Sequence, residues 1–190
     1  GDNFNNIYII DQLKGKYAIG HVRYSTSGGS LEENIQPLFA NLAAGGFACA
    51  HNGNLTNTEF LRKQLIKEGA IFQSSSDTEI ILQLVAKSKK KNTIKKIIDA
   101  LFRIKGAYSL VVLTKDKMYG IKDPFGIRPL VLGKIGRSFV LSSETCALDM
   151  IGAKYIRDID NGEILEISKT GLNSFRPFPK VDERPCIFES

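Results

Sequence analysis

The 190-residue sequence has few cysteines and no apolar run near the roughly 18 residues that a membrane-spanning helix needs. Its three cysteines, at positions 49, 146 and 186, are widely spaced and form no CxxC pair. This spacing argues against a disulfide framework and against a zinc site, and it is typical of a reducing compartment, so we expect a cytoplasmic protein. The start of the chain lacks a signal peptide, a transit peptide and an initiator Met, which predicts a processed or truncated product.

Common signatures of a nucleophilic or phosphate-binding site are also absent, since the sequence has neither a G-x-S-x-G elbow nor a phosphate-cradling glycine loop. Cys49 lies in an apolar segment and is expected to be a buried, inert thiol. Cys146 has no adjacent base in the sequence, and Cys186 lies in a segment without neighbours typical of a site. His21 and His51 could activate a cysteine, but a histidine beside a strand is more often a hydrogen-bonded structural residue. The residues alone therefore identify no nucleophile.

The composition, with 43% apolar and 24% charged residues, predicts one soluble globular domain with a sizeable core. The net charge of +6 is uneven, because residues 87–105 hold eight basic residues and a single acidic one. The apolar residues between them follow a helical spacing that faces a core. We therefore interpret the lysines as a solvated helix face, and the alternative, a nucleic-acid-binding surface, has no further sequence support.

Hydrophobic spacing predicts two early strands, then helices as far as Gly106, and mainly strands after it. Tyr17–Tyr24 and Phe47–His51 are predicted strands, and capping boxes at 56–59 and 76–79 predict two helices. A third helix is predicted from Asn92 to Gly106. The elements predicted after it are the strands Ala107–Thr114, Lys117–Lys122, Pro129–Leu132, Phe139–Ser142, Lys154–Ile156, Glu163–Ile167 and Leu172–Phe175, with a short helix over Glu144–Ile151. This order favours an α+β fold, a largely antiparallel sheet with helices on its faces.

Two charged residues could bind the ends of an amino acid. Arg23 lies near the end of a predicted strand and is followed by hydroxyl residues, so its guanidinium could grip a carboxylate. Asp77 begins a predicted helix, where a carboxylate is favoured by the helix dipole and could pair with an α-ammonium group. Each residue also has a plain structural interpretation: a surface ion pair for Arg23 and a helix first-turn residue for Asp77.

The segment His51–Asn54 follows the apolar residues Phe47–Ala50 and has two interpretations. Asn and Gly tolerate the positive φ of a tight turn, so the segment could be an ordinary turn. Alternatively, the side-chain amide of Asn52 and the backbone N–H of Gly53 could form an oxyanion hole for a tetrahedral intermediate. Together with Arg23 and Asp77, this second interpretation suits an amino acid whose side-chain amide is attacked.

Six segments, in the same order along the chain, resemble the glutaminase domain of amidophosphoribosyltransferases. They are GHVRYSTSG (20–28), AHNGNLTN (50–57), SSSDTE (74–79), GAYSLVVL (106–113), DPFGIRPLVLG (123–133) and SSETCALD (142–149). The resemblance runs from about Lys14 to Glu189 and extends to the wider class of N-terminal-nucleophile glutamine amidotransferases. It implies an αββα four-layer sandwich of the N-terminal-nucleophile hydrolase type.

The resemblance also implies a role for six residues. Arg23 and Thr26 would bind the glutamine α-carboxylate, and Asp77 would pair with its α-ammonium group. Asn52 and Gly53 would form an oxyanion hole, and Tyr24 would belong to the segment that signals to the phosphoribosyl site.

Members of this family begin with a catalytic cysteine, and several dozen residues separate it from the GHVRY segment, whereas 19 residues precede it here. We therefore expect residues 1–190 to be a glutaminase domain incomplete at its N-terminus, inactive alone, with the phosphoribosyltransferase domain absent beyond 190. In the intact enzyme, glutamine is expected to supply ammonia to phosphoribosyl pyrophosphate, forming 5-phosphoribosylamine for purine biosynthesis.

Further expectations concern cofactors and partners. The chain itself is expected to bind no cofactor, nucleic acid or membrane, whereas the full enzyme could need Mg²⁺ and, in some members, an iron–sulfur cluster, and is expected to be a homo-oligomer. Two alternatives stay open: the glutaminase domain of another amidotransferase, such as glucosamine-6-phosphate synthase, and a non-catalytic glutamine-binding module.

Overall fold

The computed structural model describes residues 15–22 and 32–179. Arg23, Tyr24, Thr26 and Cys186 lie outside the described residues. The predicted strand Tyr17–Tyr24 is wrong over its described part, because residues 17–22 have no strand pairing. In the described parts of the chain, no helix combines the length and apolar character needed to cross a bilayer.

The described residues form four α-helices, one short 3-10 helix and nine strands. The α-helices are α1 (Thr58–Lys67), α2 (Asp77–Lys87), α3 (Thr93–Leu101) and α4 (Thr145–Met150), and the 3-10 helix is Glu32–Asn34. The strands are β1 (Leu38–Leu42), β2 (Gly45–Leu55), β3 (Gly106–Thr114), β4 (Met118–Lys122), β5 (Val131–Ile135), β6 (Ser138–Ser142), β7 (Lys154–Asp158), β8 (Ile164–Ser168) and β9 (Gly171–Phe175).

The strands form two antiparallel sheets. The larger has the order β1-β2-β3-β4-β8-β9, and the smaller has the order β6-β5-β7. Helices α1, α2 and α3 pack on one face of the larger sheet and α4 packs on the smaller sheet. The two sheets face each other across a second apolar core. The fold is therefore α+β, as the hydrophobic pattern predicts, with the αββα layers that the family resemblance implies.

The alternation of side chains along the strands explains the layers. On β3, Leu110 belongs to the core under the helices, whereas its neighbour Val111 packs into the core between the sheets. On β5, Leu132 points into the core between the sheets, whereas Val131 packs near Leu148 of α4. Successive strand residues face opposite sides of a sheet, so a strand buried on both faces is apolar at successive positions.

Helix α2 begins where the sequence predicts, but its cap differs from the expected box. Ser76 is the N-cap residue, and its hydroxyl accepts a hydrogen bond from the Thr78 N–H at 3.2 Å. The Glu79 carboxylate does not accept a hydrogen bond from the Ser76 N–H, as it would in a capping box. It instead accepts from the backbone N–H groups of Gln73 (2.8 Å) and Ser74 (2.7 Å), which organises the loop before the helix.

The capping box predicted at 56–59 is wrong, although a helix does begin there. Asn57 is the N-cap of α1, and its side chain makes no capping bond. It instead donates to the Arg103 carbonyl and accepts from the Lys105 N–H, both at 2.9 Å. A long-range tertiary contact has therefore taken the polar side chain that local capping would use. Helix α3 has Asn92 as its N-cap, as predicted, but ends at Leu101 and not near Gly106.

Strand β2 is longer than predicted and β1 was not predicted. The turn interpretation of His51–Asn54 is wrong, because β2 continues to Leu55 with Asn52 opposite Ser109 and Gly53 opposite Tyr108. Pairing with β3 keeps the backbone extended through Asn52 and Gly53, although an Asn-Gly pair by itself is typical of a turn. The other strands lie within a few residues of their predicted bounds.

A buried ion pair connects β7 with the turn before β8. The Glu163 side chain is fully buried, accepts two hydrogen bonds from Arg157 at 2.8 Å and one from the Ser174 hydroxyl at 2.7 Å. Burial by itself raises the pKa of Glu163, but these bonds and the Asp160 N–H outweigh it and hold the pKa at about 2.

We predict that Glu163→Gln lowers the free energy of unfolding by roughly 2–3 kcal/mol at pH 7, because it leaves a partly buried guanidinium without its counter-ion. A depressed carboxyl pKa gives stability that is present above the unfolded pKa of about 4.3. The difference between the two proteins should therefore shrink as the pH falls from about 4.5 to 2, in urea unfolding followed by circular dichroism. As a control, Glu59→Gln, which removes the exposed pair with Lys63, should leave the urea midpoint unchanged. If Glu163→Gln lowered the free energy of unfolding equally at pH 7 and at pH 2, the depressed pKa of Glu163 would be contradicted.

Candidate functional site

A cleft of about 950 Å³ collects the polar groups that the sequence singled out within the described residues. One wall is the end of β2, with His51, Asn52 and Gly53. The loop before α2 and its first residue, Asp77, form a second wall, and Ser142–Glu144 before α4 form a third. Three segments far apart in the sequence thus meet at one opening between the two sheets.

Asp77 is the first residue of α2, and two hydrogen bonds fix both of its carboxylate oxygens. His51 Nδ1 lies 3.2 Å from Oδ1, and the Leu55 N–H donates to Oδ2 at 3.1 Å. The side chain keeps 20% of its surface exposed, so it can still contact a ligand. Burial raises the pKa of Asp77, but the bonds from His51 and Leu55 outweigh it, and the net pKa lies below the ordinary value. The cleft therefore presents a carboxylate that stays charged at neutral pH.

His51 is a buried side chain that connects this carboxylate to β2. A charged carboxylate can only accept hydrogen bonds, so in this contact Nδ1 of His51 donates to Asp77. The Nε2 atom is buried and finds no hydrogen-bond partner among the described residues. It lies directly behind Gly53, since a Cβ built there would be 2.9 Å from Nε2.

Gly53 is required by its position in the sheet. Its φ of +143° is a conformation that other residues rarely adopt, and a Cβ would overlap the Ala107 carbonyl oxygen of β3. Asn52, its half-exposed neighbour, lines the cleft. The Asn52 side chain thus lies where its amide could contact a ligand in the cleft. The oxyanion-hole interpretation remains a prediction, now placed on a strand end.

The two cysteines of the described residues are poor nucleophiles. Cys49 is fully buried on β2, and burial together with the negative charge of Asp77 raises its pKa to about 12. Cys146 is exposed, and its Sγ lies 3.2 Å from Glu144 Oε2, a neighbour that the sequence analysis missed. That carboxylate accepts the thiol hydrogen bond and raises the pKa of Cys146. Neither thiol is activated at neutral pH.

Two polar residues of the site were not identified from the sequence. Gln36 contacts the main chain of His51, and Asn34 contacts Ser75, close to Asp77. Both lie in a segment without helical or strand periodicity, so hydrophobic spacing carries no signal for them. Their contacts join residues 15 and 41 positions apart.

Metal ligands are not grouped in the described residues: no three His, Cys, Asp or Glu side chains there could hold an ion together. Cys186 lies outside these residues. The predictions about Mg²⁺ and an iron–sulfur cluster in the full enzyme therefore stay predictions.

Comparison with known proteins places the chain in a family. The glutamine amidotransferase domain family matches residues 21–150, a range that includes every described residue lining the cleft except Gly20. Among curated proteins, the Rhizobium etli amidophosphoribosyltransferase is 47% identical over 194 residues, covering 100% of this chain and 39% of its own. The chloroplastic amidophosphoribosyltransferase 1 of Arabidopsis thaliana is 48% identical over 181 residues, covering 95% and 32%.

A solved structure agrees with the fold. The glutamine phosphoribosylpyrophosphate amidotransferase of B. subtilis, complexed with ADP and GMP, superposes with a TM-score of 0.84 at 40% identity. The match covers 89% of this chain and 36% of that one. The chain thus spans 32–39% of the length of the curated relatives described above. Matched over more than half of its residues, the chain belongs to the glutamine amidotransferase domain family.

Proposed function

We propose that this chain is the glutaminase part of an amidophosphoribosyltransferase, which hydrolyses glutamine to glutamate and passes the ammonia to phosphoribosyl pyrophosphate. The observation that carries the proposal is the placement of Asp77, Asn52 and Gly53 around one cleft, with the Asp77 carboxylate held charged by His51. Those groups suit the ammonium end and the amide end of glutamine. The identity to amidophosphoribosyltransferases supports the choice of acceptor.

Substrate binding is proposed to use opposite charges at the α-carbon of glutamine. The Asp77 carboxylate pairs with the α-ammonium group, and its two fixed oxygens keep it oriented without a ligand. Arg23 and Thr26 are proposed to bind the α-carboxylate, and Tyr24 to signal between the glutamine and phosphoribosyl sites, as the resemblance implies.

The chemical step is proposed to be thiolate attack on the side-chain amide carbon of glutamine, by the N-terminal cysteine of the full-length protein. The carbonyl oxygen becomes an oxyanion, which accepts hydrogen bonds from the Asn52 amide and the Gly53 N–H. Collapse breaks the C–N bond, the nitrogen leaves as ammonia after gaining a proton, and a γ-glutamyl thioester remains. Water then attacks the thioester, releasing glutamate and the thiol.

Ammonia is proposed to reach phosphoribosyl pyrophosphate in another part of the full-length protein, where it displaces pyrophosphate and forms 5-phosphoribosylamine for purine biosynthesis. A homo-oligomeric enzyme, a need for Mg²⁺, an iron–sulfur cluster in some members and a cytoplasmic location belong to the same proposal. The last is supported by the wide cysteine spacing.

The acceptor test uses the full-length protein and L-glutamine with either phosphoribosyl pyrophosphate or fructose 6-phosphate. We expect glutamate release to be stimulated by phosphoribosyl pyrophosphate and to be matched by pyrophosphate, mole for mole. Stimulation by fructose 6-phosphate alone would favour the glucosamine-6-phosphate synthase alternative. Binding of glutamine without any hydrolysis would favour a non-catalytic module.

Two substitutions should separate binding from chemistry in that assay. Asn52→Ala removes a donor that acts on the developing charge, so we expect kcat to fall on the order of 10²–10³-fold with a small change in KM. Asp77→Asn keeps the size of the side chain but removes its charge, so we expect the KM for glutamine to rise roughly tenfold or more. If Asn52→Ala changed only KM, Asn52 would not belong to an oxyanion hole.

The cysteines provide the complementary prediction. Because both thiols have raised pKa values, Cys49→Ala and Cys146→Ala should each keep kcat within about twofold of the parent protein. Thermal melting, measured alongside, accounts for any loss of packing at the buried Cys49. Abolished glutamate release in a folded Cys146→Ala protein would identify Cys146 as the nucleophile and refute the proposed mechanism.

A further inference from the structure

Two side chains of the segment Asn34–Gln36 contact both elements that carry the proposed site. Asn34 Nδ2 donates to the Ser75 hydroxyl at 3.0 Å, and the Ser75 N–H donates to Asn34 Oδ1 at 3.1 Å. Gln36 forms two contacts with the main chain of His51. All four residues line the cleft. We refer to Asn34–Gln36 as the bridging segment.

The contact between Gln36 and His51 has the pattern of a sheet ladder. Strands β1 and β2 pair up to Leu38 opposite Cys49, and the same register continued by two residues places position 36 opposite His51. In an antiparallel ladder, every second pair of opposite residues exchanges two hydrogen bonds between main-chain N–H and C=O groups. Here the side-chain amide of Gln36 replaces the main chain: Oε1 accepts from the His51 N–H at 2.6 Å, and Nε2 donates to the His51 carbonyl at 3.4 Å.

This contact holds β2 at the residue that precedes the oxyanion donors. His51 is buried, so its main-chain groups need partners, and an unpaired N–H there would be costly. The ladder between β1 and β2 ends at Leu38, so on this side of β2 the amide of Gln36 is the partner of His51. Asn52 and Gly53 follow immediately, and their positions depend on how firmly His51 is held.

The contact between Asn34 and Ser75 acts on the other wall. Ser75 immediately precedes Ser76, the N-cap of α2, and Asp77. The amide of Asn34 pairs with both the N–H and the hydroxyl of Ser75, which leaves this loop little freedom to shift. Movement of the loop would carry the Asp77 carboxylate with it.

We propose that the bridging segment sets the spacing between the Asp77 carboxylate and the oxyanion donors, with Gln36 and Asn34 as positioning residues. This inference rests on the proposed glutaminase function. Gln36 acts through the strand that stabilises the transition state, so its loss affects kcat. Asn34 acts through the loop that binds the α-ammonium group in the ground state, so its loss affects KM.

The test measures steady-state glutamine hydrolysis by the full-length protein and four variants. Gln36→Met keeps the side-chain length but removes the amide, and we expect kcat to fall roughly tenfold to a hundredfold with KM within about threefold. Asn34→Leu should raise KM roughly tenfold with kcat within about threefold. Gln36→Glu and Asn34→Asp each keep the acceptor oxygen, so each should recover most of the loss. Equal effects of Gln36→Met and Gln36→Glu would overturn the role of Gln36.

The matched control is Gln83→Met, which removes a comparable bond from Gln83 Nε2 to the Ile71 carbonyl (2.8 Å) outside the cleft lining. It should leave kcat and KM within about twofold. Thermal melting of every variant separates positioning from unfolding, and if Gln36→Met fails to fold, Gln36→Glu with its retained acceptor decides on kcat. An active parent protein with unchanged Gln36→Met kinetics refutes this inference and leaves the proposed function standing. An inactive, folded parent protein refutes both.

Discussion

The pairing of β2 with β3 is the interaction on which the rest of the site depends. It runs from Phe47 opposite Thr114 to Leu55 opposite Gly106, and the buried side chains on its helix side anchor the main core. The same pairing holds Asn52 and Gly53 straight at the edge of the cleft. Two glycines permit the close approach at this end, because a Cβ at Gly53 or at Gly106 would meet the backbone of the opposite strand. Donors held by a paired strand stabilise a developing charge without reorganisation, which favours the proposed oxyanion hole.

Electrostatic preorganisation is the second constraint. Asp77 could not stay charged beside an apolar core without compensation, and the compensation comes from a histidine on β2 and a backbone N–H of the same strand. The carboxylate proposed to bind the ammonium group of glutamine and the donors proposed for its carbonyl oxygen are therefore attached to one strand. The bridging segment also connects the two walls of the cleft, because Gln36 bonds to His51 of β2 and Asn34 bonds to Ser75 in the loop before α2.

Much of the fold could be predicted from local pattern, and the errors have physical causes. The apolar stripe and Ser76 correctly place the start of α2, because capping is local. The capping box predicted at 56–59 is wrong, because the Asn57 side chain bonds to Arg103 and Lys105, nearly fifty residues away. The Asn-Gly pair at 52–53 indicated a turn by its residues alone, whereas the partner strand β3 keeps it extended. Such long-range contacts leave no trace in periodicity.

The site, like the fold, has features that the sequence alone predicts and features that only the tertiary structure shows. By itself, the sequence determined the alternation of helices and strands, the types of polar group available and the family resemblance, because residue type and spacing govern local structure and chemistry. Only the tertiary structure decided that Asp77, Asn52 and Gly53 share one cleft, that His51 contacts Asp77 from β2, and that the side-chain amide of Gln36 takes the place of main-chain groups in the ladder. Those facts depend on which surfaces the core brings together, and burial acts on pairs of residues that the order of the chain leaves far apart.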